Sequence, residues 1–115
     1  MRPFKIPISI YCCTIYFLIT DDVEAQVNKL RKKNGLEPTK GPFDGYADEY
    51  NFTDYWVIIS SNSLNVNTLC HEVFHTVHTI TEDRVIRDEE AQAWLCGFIS
   101  QKIYDYMQKN KLKLL

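Results

Sequence analysis

The chain has 115 residues, 45% of them hydrophobic and 24% charged, with 13 Lys+Arg against 15 Asp+Glu and a net charge of −2. That is the size of one domain with a single core, and the composition excludes a disordered chain. The near-neutral balance argues against a basic nucleic-acid surface.

Residues Met1-Arg2-Pro3-Phe4-Lys5 and the apolar run to Thr20 have the outline of a secretory signal. They lack a small-residue cleavage site, and Asp21-Asp22 follow at once. The run is too short and too polar for a membrane span. Its Ile, Thr, Tyr and Phe content suits buried β-structure, with Cys12-Cys13 at a bend between two short strands. Asp21 or Asp22 caps a helix from Val23 to about Lys33, with Val23, Val27 and Leu30 as its apolar stripe and Asn34-Gly35 at its end. Glu37 to Asp44 is a Pro/Gly loop. Tyr46 to Phe52 and Tyr55 to Ser60 read as two strands of a hairpin turning at Thr53-Asp54. A helix capped by Asn65 or Asn67 follows. Leu69, Val73, Val77 and Ile80 form its apolar stripe, with Val66 and Phe74 flanking. After a polar turn at Thr81–Arg84, Asp88 caps a last helix from Glu89 to about Asn110. Its mostly apolar face is Ala91, Leu95, Phe98 and Lys102, with Trp94 and Ile99 beside it. The expected fold is α+β: one domain over residues 1–115, a small antiparallel or mixed sheet, an N-terminal helix, a middle helix and a C-terminal helix. Cys12, Cys13, Cys70 and Cys96 have no C-x-x-C spacing and read as buried free thiols in a reducing, cytoplasmic compartment. Lysines 109, 111 and 113 read as a solvated helix end.

The middle helix carries the chemistry. Residues 71–75 are His71-Glu72-Val73-Phe74-His75, an H-E-x-x-H motif. Positions i and i+4 lie one turn apart on one helix face, so two imidazoles there can share a Zn²⁺ at about 2.0–2.1 Å each. Glu72 then lies beside the ion, placed to take a proton from water. The bland alternative is a helix with two histidines on its polar edge. A zinc site wants a third ligand. His78 shares the face, but lies about 10 Å from His71 along a straight helix. It reads as a substrate contact or surface residue. Glu90, in the first turn of the last helix, is the better candidate, because Ala93 and Gly97 on its strip are small enough for close helix approach. Glu89 points about 100° away. Both glutamates have a plainer role as partners of the helix dipole. Cys70 lies off the ligand face.

His71-Glu72-x-x-His75 followed by Glu90-x-x-Ala93-Trp94 resembles the small gluzincin-type metallopeptidases. It is similar to the ImmA/IrrE-type proteases and to short phage-encoded proteins with H-E-x-x-H and then E-x-x-A-aromatic-L. The resemblance covers residues 71–99 in its motifs. It implies His71 and His75 as zinc ligands, Glu90 as third ligand, Glu72 as catalytic base, and a protein or peptide as substrate. His78, Tyr46 and Tyr50 are candidate donors to a tetrahedral oxyanion. The competing expectation is a catalytically inactive zincin-like protein, with structural zinc or a partner-binding role.

Overall fold

The structure, a computed structural model, describes residues 2–115. The elements in chain order are β1 (Phe4–Ile8), β2 (Cys13–Thr20), α1 (Val23–Lys33), β3 (Gly45–Tyr50), β4 (Asp54–Ser60), α2 (Val66–Asp83) and α3 (Glu89–Lys109), with short 3-10 turns at Ser9–Tyr11 and Ser61–Ser63. The sheet is mixed, in the order β1-β2-β4-β3. The β1–β2 and β3–β4 pairs are antiparallel and β2–β4 is parallel.

The four strands separate two helical layers. On one face Leu18 and Ile58 of the sheet pack with Val23 and Val27 of α1. On the other, Ile15, Phe17, Val57 and Ile59 meet Val73, Val77 and Ile80 of α2 and Leu95, Ile99, Ile103 and Met107 of α3. Strand alternation sends neighbouring side chains of β2 and β4 to opposite layers. Both central strands therefore read as continuous apolar runs rather than alternating ones.

Capping fixes the helix starts. Asp22 accepts from the Ala25 amide at 3.0 Å, Asn65 from Thr68 at 2.8 Å and Asp88 from Glu90 at 3.1 Å. The bend between β1 and β2 falls at Cys12, whose φ is 52°. The second hairpin turns earlier than expected. Asn51 and Phe52, both at φ near 60°, make the turn with Thr53, and Asp54 already pairs with Tyr50. Asn tolerates this left-handed backbone, so the turn signal sits at position 51 rather than at Thr53-Asp54.

The apolar face of α3 is also rotated from the expected one. Leu95, Ile99, Ile103 and Met107 are buried, while Lys102 is exposed and Trp94 is 50% exposed. Trp94 stacks on Phe98 at 5.1 Å between ring centroids and Lys102 lies over Phe98. Trp94 thus stays on the surface, covered by Phe98 at i+4, which is half-buried and packs against the core. All four cysteines are free, but only Cys13 is buried; Cys12, Cys70 and Cys96 are exposed, which corrects the expectation of buried thiols. Among the described residues, no helix is long and apolar enough to cross a membrane.

Candidate metal centre

Helix α2 buries Val73, Val77 and Ile80 in the core, and this turns His71 and His75 outward. Their Nε2 atoms lie 3.1 Å apart. Two nitrogens bound at 2.0–2.1 Å to one tetrahedral ion sit about 3.3 Å apart, so the pair already has the spacing of shared ligands. In the absence of an ion, the same distance accommodates an N–H of one neutral ring donated to the other.

Glu72 completes a group. One ligand atom from each of His71, Glu72 and His75 lies within 4.8 Å of the others, an arrangement that can hold a metal ion. Two imidazoles and a carboxylate form a donor set suited to zinc. Glu72 differs from the histidines in being only 6% exposed. Burial pushes its carboxyl above the usual range, against the opposing pull of His71 and then His75. A carboxylate held this way is a better proton acceptor than one in water.

Strand β3 supplies the wall behind Glu72. Its odd-numbered residues Gly45, Ala47 and Glu49 face α2, whereas Tyr46 packs with the α1 layer. Tyr50 donates to Asp48 at 3.0 Å, and Asp48 pairs with Arg31 of α1 at 3.6 Å. Alternation therefore takes Tyr46 and Tyr50 to the side of the sheet away from the histidines, and neither is an oxyanion donor. Gly45 is the close contact: a Cβ there would lie 2.8 Å from Glu72 Oε2 and 2.9 Å from its Cγ.

A cleft of about 280 Å³ opens beside this wall, lined by Pro42, Asp44, Gly45, Thr68, His71 and Glu72 among others. Pro42, Phe43 and Asp44 form its rim, and the segment that leads to them is tied down by α1. Asn28 bonds both the amide and the carbonyl of Thr39, Arg31 donates to the Glu37 carbonyl, and Glu24 accepts from the Gly41 amide.

The remaining candidates lie apart from the group. His78 is 3.8 Å from Glu82 and stacks on the exposed ring of Phe74. Glu89 and Glu90 are both exposed in the first turn of α3. Among the described residues no other His, Cys, Asp or Glu joins His71, Glu72 and His75. The close approach expected at Ala93 and Gly97 is not there: both are exposed, and a Cβ on Gly97 would meet nothing within 4 Å. Gly97 does share a groove with Cys70, the neighbour of His71. Glu90 lies seven residues from Gly97, about 10 Å along the axis of α3. The sequence reading missed Gly45, although the parity of the strand it assigned at 46–52 already sets position 45 on the face opposite Tyr46.

No family model, no curated protein and no solved structure matches this chain.

Proposed function

We propose that the chain is a zinc-dependent metallopeptidase in which His71 and His75 hold the ion and Glu72 is the general base. The observation that carries the reading is the 3.1 Å spacing of two imidazole nitrogens with a buried carboxylate beside them, all on one helix. Zinc, when bound, polarises a carbonyl and lowers the pKa of a coordinated water towards about 7. Glu72 accepts a proton from the attacking water and returns it to the leaving amine. Burial suits Glu72 to that task, since it raises proton affinity without removing the group from the cleft.

Glu90 remains the proposed third ligand on the resemblance alone, since it stands outside the His71–Glu72–His75 group. β3 is an edge strand beside the cleft, so its unpaired main-chain groups suit an extended peptide. The substrate proposed is accordingly a protein or peptide in extended form, met in the cytoplasm.

Metal analysis and titration on the purified chain test the reading. The expected result is about one Zn²⁺ per chain, lost in His71→Ala and His75→Ala. Glu72→Gln should keep zinc but lose at least about a hundredfold in peptide cleavage, the usual worth of a general base. Equal turnover by wild type and Glu72→Gln removes the glutamate from the mechanism. Glu90→Ala should weaken zinc more than Glu89→Ala or His78→Ala.

The place of Glu90 outside the His71–Glu72–His75 group favours a second reading, a catalytically inactive zincin-like protein with a partner-binding role or a structural zinc. Stoichiometric zinc with every coordination position filled by protein, and no cleavage of any peptide tried, would establish it.

A further inference from the structure

We infer that Gly45 is a positioning residue: its bare backbone sets where the Glu72 carboxylate lies, and no side chain at position 45 is compatible with that place. The catalytic consequence rests on the metallopeptidase reading; the steric coupling does not.

The contact is made by Glu72 itself. A Cβ on Gly45 would lie 2.8 Å from Oε2 and 2.9 Å from Cγ of Glu72, distances that real Cβ atoms do not show, and 3.1 Å from Cδ1 of Ile59. The φ angle of Gly45 is not in the left-handed region, so backbone conformation does not demand glycine here. Gly45 also pairs in register with Ile59 of the neighbouring strand. Backbone retreat is thus resisted by the sheet. Glu72 cannot keep its place by shifting its far end alone, because Cγ is fixed near the helix by Cβ. Relief requires the whole side chain to swing, and the open direction is the cleft that Gly45, His71 and Glu72 line together. An alanine at 45 therefore moves the carboxylate relative to the two imidazoles while leaving both histidines free to bind.

This predicts a pattern that a merely structural glycine does not give. Gly45→Ala should lower the melting temperature by about 5 °C or more in the chelated full chain. Combined with Glu72→Ala, which removes Cγ and the carboxylate, the same substitution should have little effect. Glu72→Gln keeps the shape and should leave the penalty in place, which separates size from charge. In the zinc-loaded chain, Gly45→Ala should hold zinc affinity and KM within about twofold while kcat falls at least about tenfold, because a general base moved from its place loses most of its worth. Equal penalties in the wild-type and Glu72→Ala backgrounds, or none in either, overturn the inference. If Gly45→Ala unfolds the chain, folding restored by Glu72→Ala supports it, and failure in both backgrounds overturns it. Unchanged kcat with the stability pattern intact also overturns the catalytic role. A wild type that cuts nothing while that pattern holds defeats the metallopeptidase reading and leaves the steric placement of Glu72 standing.

Discussion

Glu49 is the one carboxyl on the α2-facing side of β3, and its surroundings differ from those of Glu72 on the helix opposite. Its Oε2 is buried without a hydrogen-bond partner. Burial raises its pKa first, and Asp83 of α2 raises it further by charge and by a side-chain contact. Two carboxylates side by side have no donor between them unless one is protonated, so the orphaned oxygen is satisfied when the pair holds a proton. The neighbouring groups are Asp48 of β3, the Phe52 backbone, which lowers the pKa, and Tyr55 of β4, which donates to Asp83 at 2.6 Å. The folded-state pKa lies above the unfolded one. The pair's contribution is therefore fully present below the ordinary carboxylate range and is lost as pH rises through the folded value. Glu49→Gln should melt higher than wild type at neutral pH, and the gap should close as pH falls towards 4. Paired thermal melts across that range check it; a gap that widens on acidification overturns it.

At the scale of elements, much was legible in the sequence because short-range chemistry decided it. Asp22, Asn65 and Asp88 cap their helices, and the predicted bounds of α1 stand, since capping and apolar spacing are local signals. The motif helix was equally plain. What was not legible depends on packing partners. Helix α3 has two overlapping apolar strips, one through Leu95 and Ile99 and one through Trp94 and Phe98; only packing against α2 and the sheet buries the first fully, half-buries Phe98 and leaves Trp94 outside. With that rotation goes the argument that brought Glu90 towards the histidines. The burial of Glu72 was likewise invisible until β3 lay beside α2. The selected strip makes a quantitative difference. Ile99→Ala should cost about 2–5 kcal/mol, as a buried large-to-small change does, whereas Trp94→Ala should cost under about 1.5 kcal/mol despite its larger side chain. Denaturant unfolding of the two variants measures this, and a larger loss at Trp94 would restore the other face.

Across the whole molecule, one side chain links the ends of elements far apart in sequence. Arg84, the residue that closes α2, donates from Nε to the Tyr11 carbonyl at 2.9 Å. One terminal nitrogen reaches the Tyr55 hydroxyl and the other the Phe52 carbonyl, each at 2.7 Å. Tyr11 lies in the β1–β2 turn and Phe52 in the β3–β4 turn, so a single planar guanidinium holds both hairpin tips against the end of the motif helix. Arg84→Met keeps the apolar stem but leaves three acceptors without this donor. It should cost about 2–4 kcal/mol, given the cost of unpairing hydrogen bonds to a charged group. A change under about 0.5 kcal/mol by urea titration would show that water replaces the guanidinium freely. The fork has a further consequence for how the protein opens. Because the two tips and the helix end share one anchor, none can fray alone without disturbing it. Amide protons around Tyr11, Phe52 and the last turn of α2 should accordingly exchange with deuterium as one cooperative unit, with a common opening free energy, and in Arg84→Met they should separate into three independently fluctuating segments.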